Sequence, residues 1–401
     1  MSKSINNYFL ILFSLIPLSI LVGPAFSLIN ILIIDISFLI MIIRLKDFSF
    51  LKSDTSKYFI ILYIYLIINT LFSIDQYSGI GRNLGFFRMI ILFFAINYFF
   101  KSETFFKKVF FMWFLIISIV VFDVYFENFT GKNILGFESK NYGRIVSFFK
   151  DELIVGGYLY GFSLILIGYL SDTFKKRYLN LILLFLLIIL IAIVLTGERS
   201  NSIKALIGFT VLYLFISNYS LKKKIISLLL AALILIFTIA SSEALKLRFF
   251  EQIKKYSQIS NNYYFHVYKS GIEVFKNYPV MGVGNKNYRV ETCNDLSEQR
   301  DIYVCTTHPH QIYIEFLSEH GIVGSFLLFF IFYKMIFSKI GILRENIDGL
   351  KVGNLIYLTL VFLPLIPSGA FFSDYMLTFF VLHISILYAT SPQLNTFYKK
   401  M

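Results

Sequence analysis

Long apolar runs separated by short charged breaks repeat along the whole chain. Continuous apolarity over roughly 17–25 residues predicts membrane-spanning helices. About twelve such runs are readable, centred in 8–28, 29–43, 58–74, 85–100, 109–126, 153–170, 178–195, 203–218, 225–241, 320–338, 353–368 and 372–390. A β-barrel would alternate lipid-facing and lumen-facing positions over segments of about ten residues, and these runs do not alternate. One polar stretch, 242–310, interrupts the pattern. Bundle helices are usually joined by about 2–8 residues, so a stretch this long is either a working element or disordered. Its many Tyr and Phe residues argue for order. So does Gly271-Ile272-Glu273-Val274-Phe275-Lys276-Asn277-Tyr278-Pro279, an amphipathic helix with a proline stop, and the tight turn Met281-Gly282-Val283-Gly284 that follows it. The pattern predicts an all-α polytopic membrane protein in three parts: nine spans in 1–241, a loop subdomain in 242–310, and three more spans with a tail in 311–401.

Composition agrees, since 57% hydrophobic and 15% charged residues lie far outside the range of a soluble globular domain. Charge then sets the orientation. Alternate breaks hold Arg44, Lys46, Lys52 and Lys57; Lys101, Lys107 and Lys108; Lys175, Lys176 and Arg177; Lys222, Lys223 and Lys224; Lys339, Arg344 and Lys351; and finally Lys399 and Lys400. Positive charge in short loops marks the cytoplasmic side, which puts both termini there and 242–310 outside. The opposite breaks hold few cations, among them Arg82 and Arg199, except 127–152 with Lys132, Lys140, Arg144 and Lys150. Cytoplasmic loops facing anionic lipid account for most of the net charge of +13, and no nucleic-acid-binding module is present. Lys3 and the small residues of Pro24-Ala25-Phe26-Ser27 look like a cleavable signal, but a second apolar run follows at once and favours a retained helical hairpin.

The candidate chemistry sits at the outer ends of the spans. Both cysteines, Cys293 and Cys305, lie in the insert. In an oxidising compartment they are a disulfide candidate, worth about 3 kcal/mol by the loop-entropy model, with two buried thiols as the alternative. With His308 and His310 they offer zinc-type ligands, but the spacing fits no familiar zinc pattern. Arg199 ends a middle span, either as an interfacial cation or as a phosphate contact. His310 is a loop histidine or a general base, and His308 is close enough to share the role. Glu315 and Glu319 are four apart on one helical face and either orient a base or supply helix-start charge. Arg144 with Asp151, Asp374 at a membrane boundary, and Tyr263, Tyr264 and Tyr313 as sugar-stacking rings are further candidates. Neither a Walker phosphate loop nor an Asp-x-Asp metal pair occurs.

At these residues a family resemblance becomes readable. His310-Gln311, nine residues, Gly321, two residues, Gly324 resembles the His-(Asn/Ser/Gln)-x9-Gly-x2-(Gly/Thr/Tyr) signature of O-antigen ligases, which share a superfamily with O-antigen polymerases. Asn277-Tyr278-Pro279-Val280-Met281-Gly282-Val283-Gly284 resembles the glycine turn that precedes that histidine, and Thr196-Gly197-Glu198-Arg199-Ser200 resembles the family's Arg-bearing end of a middle helix. The match covers roughly 140–390. The chain departs from the pattern at Glu198, where many members have a small residue, and Arg248 is the candidate for the second periplasmic arginine.

The resemblance implies a GT-C-like helical fold in the bacterial inner membrane. The implied activity is periplasmic transfer of a glycan from undecaprenyl diphosphate to an acceptor hydroxyl, of lipid A-core or another terminal acceptor. His310 and Arg199 would be catalytic and Arg248 would be the second arginine at the diphosphate; Arg144, Glu319 and His308 are supporting candidates for diphosphate or sugar contacts, as is Asp374, for which the resemblance permits a role without fixing one, and Gly282, Gly284, Gly321 and Gly324 are motif glycines that allow close packing. No metal or cofactor is implied. A polymerase of the same superfamily is the alternative. A lipid-linked sugar transporter or flippase is a second, although no internal repeat relates the two halves.

Overall fold

A computed structural model of the chain describes residues 3–174, 176–256, 262–294 and 302–397. Lys175, Lys399 and Lys400, counted above on the cytoplasmic side, lie outside the described residues. The architecture is helical, 76% helix, with no strand among the described residues. Among the described residues, six helices are long and apolar enough to cross a membrane: Pro24–Leu45, Gln76–Phe100, Glu103–Thr130, Lys176–Leu195, Leu221–Ala240 and Ile312–Arg344. Lys3–Ser14 and Ile16–Val22, bent by 41° where they meet, make a seventh if taken as one span.

The sequence runs outnumber these helices for physical reasons. The run 353–368 yields only Gly349–Leu360, because Pro364 and Pro367 cannot extend it. The run 153–170 yields Val155–Thr173, a helix buried from Val155 to Gly168 at all but one position and diluted by glycine and tyrosine. The run 320–338 does give one of the six but is displaced: its helix, Ile312–Met335, starts earlier, where the Gln311 side chain accepts the Ile314 amide, a regular N-cap bond.

The chain forms two compact units, and the helix Pro24–Leu45 is divided between them. The first comprises 1–30, 102–257 and 346–360. Val155–Thr173 is its centre and packs against Glu103–Thr130, Leu179–Leu195, Arg199–Ile216 and Gly349–Leu360. Gly168 meets the backbone of Gly349 and Leu350 at a spot with no room for a methyl group. There the Asp172 carboxylate accepts the Gly349 and Leu350 amides at 2.8 Å each, satisfying donors that a helix start leaves orphaned.

The second unit comprises 31–101, 258–345 and 361–401. Gln76–Phe100 packs on Asp374–Ala389 and Asp54–Leu71, and Ile312–Met335 packs on Asp54–Leu71 and Tyr263–Asn277. Phe316, Phe332, Phe371 and Phe380 meet at ring separations of 5.2–5.3 Å, inside the range that aromatic pairs prefer.

Candidate active site

In the first unit the turn 196–199 gathers arginines. Gly197 adopts φ 68, which glycine enters without strain, and this exposes the carbonyls on either side. Arg248 Nε donates to the Gly197 carbonyl at 2.9 Å. Arg144 Nε donates to the Thr196 carbonyl at 3.2 Å and its Nη2 to the Leu153 carbonyl at 3.1 Å. Arg199 follows directly as the first residue of the helix Arg199–Ile216, so two guanidinium groups bond the turn and a third arginine continues its backbone. Arg248 itself lies in a π-helical turn, Leu247–Glu251.

Glu198 holds this turn to the central helix. Its carboxylate accepts the Gly156 and Gly157 amides at 2.8 and 3.2 Å and the Asn201 side-chain amide at 2.6 Å. It lies 3.9 Å from Arg144 Nη2. Burial raises its pKa, while these donors and the Arg144 charge oppose the shift. Glu198 is thus a buried clamp.

In the second unit His308 and His310 face each other with ring centroids 4.0 Å apart. His310 has φ 56, a left-handed conformation uncommon outside glycine. Its carbonyl accepts the Ser368 amide at 2.8 Å, and the Ser368 carbonyl lies 3.2 Å from His308 Nε2. A carbonyl can only accept, so Nε2 carries the hydrogen. His308 Nδ1, 2.9 Å from Thr307 Oγ1, then accepts the hydroxyl proton. Burial, with a smaller push from His310, lowers the His308 pKa to about 4, and burial also lowers that of His310. Both rings are neutral at pH 7. His308 spends both nitrogens on the protein; half-buried His310 has the Tyr264 ring at 6.0 Å and also bonds the Ser368 backbone.

Below this turn the two glycine motifs interlock. Gly321, at φ 63 and ψ −170, occupies a region open essentially to glycine alone and breaks the helix. The freed backbone pairs with 279–284: Ile322 and Val323 amides donate to Pro279 and Val280 carbonyls at 2.9 and 3.2 Å, and Val283 and Gly284 amides donate to Ser318 and Glu319 carbonyls at 2.9 Å each. The Glu319 carboxylate accepts the Lys286 and Tyr288 amides at 2.9 and 3.3 Å. Gly324 abuts the Tyr65 ring, whose hydroxyl lies 3.0 Å from His320 Nδ1.

The remaining candidates have separate partners. Glu315 accepts the Phe371 amide at 2.9 Å, so it and Glu319 serve different backbone segments. Asp374 pairs with Arg88. Asp151 and Tyr263 are exposed, and the Tyr313 hydroxyl donates to the Phe362 carbonyl at 2.7 Å. Cys293 and Cys305 are bonded, with Cα atoms 4.7 Å apart.

Sequence reasoning missed Glu198 as a clamp, Arg88, Asn285 and the siting of Arg82. Asn285 accepts from Arg82 at 3.5 Å, donates to Asn83 at 2.6 Å and offers its amide to Asn69 at 2.9 Å. The Arg82 charge acts on His308, Glu315 and Glu319. The available signal was the position of Asn285 directly after the Gly282-Val283-Gly284 turn.

No curated protein matches the chain. Residues 184–329 match the family model described as O-Antigen ligase, a stretch that holds the Arg199 turn, Arg248, the His310 turn and the glycine interlock.

Proposed function

We propose that this chain is a membrane glycosyltransferase of the O-antigen ligase type. It moves a glycan from undecaprenyl diphosphate to a hydroxyl of lipid A-core or a similar acceptor at the periplasmic face of the bacterial inner membrane. The reading takes about twelve spans in a GT-C-like arrangement, with 242–310 outside and both termini in the cytoplasm. The observation that carries it is the bonding of Arg144 and Arg248 to the turn that leads into Arg199, a turn that lies with Arg248 inside the matched segment. A planar guanidinium offers paired donors to phosphate oxygens, and fixed cations at a helix end suit a diphosphate held at headgroup level by its lipid tail.

The acceptor hydroxyl oxygen attacks the anomeric carbon and forms the new glycosidic bond. The bond from that carbon to the diphosphate oxygen breaks, and its electron pair leaves with the diphosphate. The hydroxyl proton passes to the neutral His310 imidazole. Arg199, supported by Arg248 and Arg144, stabilises the charge that develops on the departing diphosphate. Attack opposite the leaving group inverts the anomeric centre. Arginine supplies the charge neutralisation, so the scheme calls for no cofactor.

Purified protein given carrier-linked glycan together with lipid A-core tests the reading. Glycan joined to lipid A-core supports the ligase. Longer carrier-linked chains would instead make it a polymerase, and carrier flipped across proteoliposomes without any new bond would make it a transporter.

A further inference from the structure

The helix Leu221–Ala240 is apolar along its length, yet only 6% of its 18-residue apolar window is buried. It is packed so loosely that a groove of about 530 Å³ opens beside it, bounded by Leu179–Leu195 and Arg199–Ile216. Leu186, Leu190, Leu206, Phe209, Leu228 and Leu235 line the apolar length of this groove. Asn180, Tyr213, Tyr219 and Ser227 supply its polar end, where Tyr219 bonds the Asn180 side chain and Tyr213 bonds Ser227. Immediately beside that end come three consecutive lysines. Lys224 donates to the Leu214 carbonyl at 2.8 Å, while Lys222 and Lys223 are exposed.

An apolar slot with hydroxyls and cations at one end complements an amphiphile with an anionic head. We propose that this groove binds one anionic phospholipid, with an acyl chain between the three helices and its phosphate against Lys222 and Lys223. The glycan carrier is also an anionic lipid, but its diphosphate is assigned to the other end of Arg199–Ile216. Eighteen residues put the two ends of that helix about 27 Å apart. The groove is therefore a lipid site separate from the reaction. It is also a slot between helices, a shape that suits a single chain better than the face of a second copy.

Native mass spectrometry of the purified protein with equal phosphatidylglycerol and phosphatidylcholine tests this. Wild type is expected to retain phosphatidylglycerol roughly tenfold over phosphatidylcholine, given the attraction of each lysine for anionic lipid. Lys222→Gln with Lys223→Gln is expected to erase that preference, and Ala231→Phe to reduce retention of both lipids. A photoactivatable acyl-chain phosphatidylglycerol provides a second readout on unaltered protein, with crosslinks expected in 183–190 and 228–235. Equal retention of the two lipids by wild type, retention unchanged by the variants, or crosslinks spread evenly over the other apolar helices would each overturn the proposal.

Discussion

His310 and Arg199 carry the proposed chemistry, and each makes a separable prediction. Burial lowers the His310 pKa beneath its ordinary 6.5, so its base form persists into mild acid. A rate profile for glycan transfer should therefore show its acid limb below pH 6.5, and a limb centred above that value would remove His310 as the base. Arg199→Lys keeps the charge but loses the planar fork. A fall in kcat of about 10²–10³, the usual loss for one stabilising donor, is expected with helix content unchanged by circular dichroism; unaltered kcat would leave Arg199 as an interfacial cation. The types and spacing of these residues were legible because a short motif travels with its chemistry. The Glu198 clamp and the Arg88–Asp374 pair were not, since their partners lie 42 and 286 positions away. Which amide a buried carboxylate will find is decided by packing, and no local pattern records it.

At the scale of elements, the central device is the docking of 279–284 onto the helix break at Gly321. The sequence showed two glycine motifs but not that they bond to each other, because backbone pairing at a broken helix leaves no hydrophobic period. Gly321→Ala is expected to cost about 1–3 kcal/mol from backbone strain alone, and more from the contact with Val280. Thermal unfolding in detergent measures this, and a midpoint equal to wild type would mean the break does not hold the fold. The His308 turn should be sensitive to acid. Its folded pKa of about 4 lies below the ordinary 6.5, so the unfolded chain takes up a proton that the folded turn refuses. Its stabilising contribution is complete above pH 6.5 and declines as pH falls toward 4. Hydrogen exchange across 302–320 should accelerate in that window, and His308→Gln should flatten the dependence; a wild-type rate that does not change with pH beyond the intrinsic chemistry would contradict it.

At the scale of the whole molecule, apolar runs and lysine placement made the helical membrane character legible. The same runs counted helices such as Val155–Thr173, whose apolar residues are buried in protein, together with helices whose apolar residues face outward, because hydropathy alone does not distinguish lipid from core as the apolar neighbour. The proposed orientation predicts that alkaline phosphatase fused after Asn262 is active and that a fusion after Lys224 is inactive; the reverse pattern would invert the topology. The most direct test of the account is glycan transfer by purified wild type, His310→Ala and His308→Ala, supplied with undecaprenyl diphosphate-linked glycan and lipid A-core. The account predicts glycan on lipid A-core with wild type, a loss of about 10²–10⁴ for His310→Ala and a smaller loss for His308→Ala. Full activity in His310→Ala would contradict it.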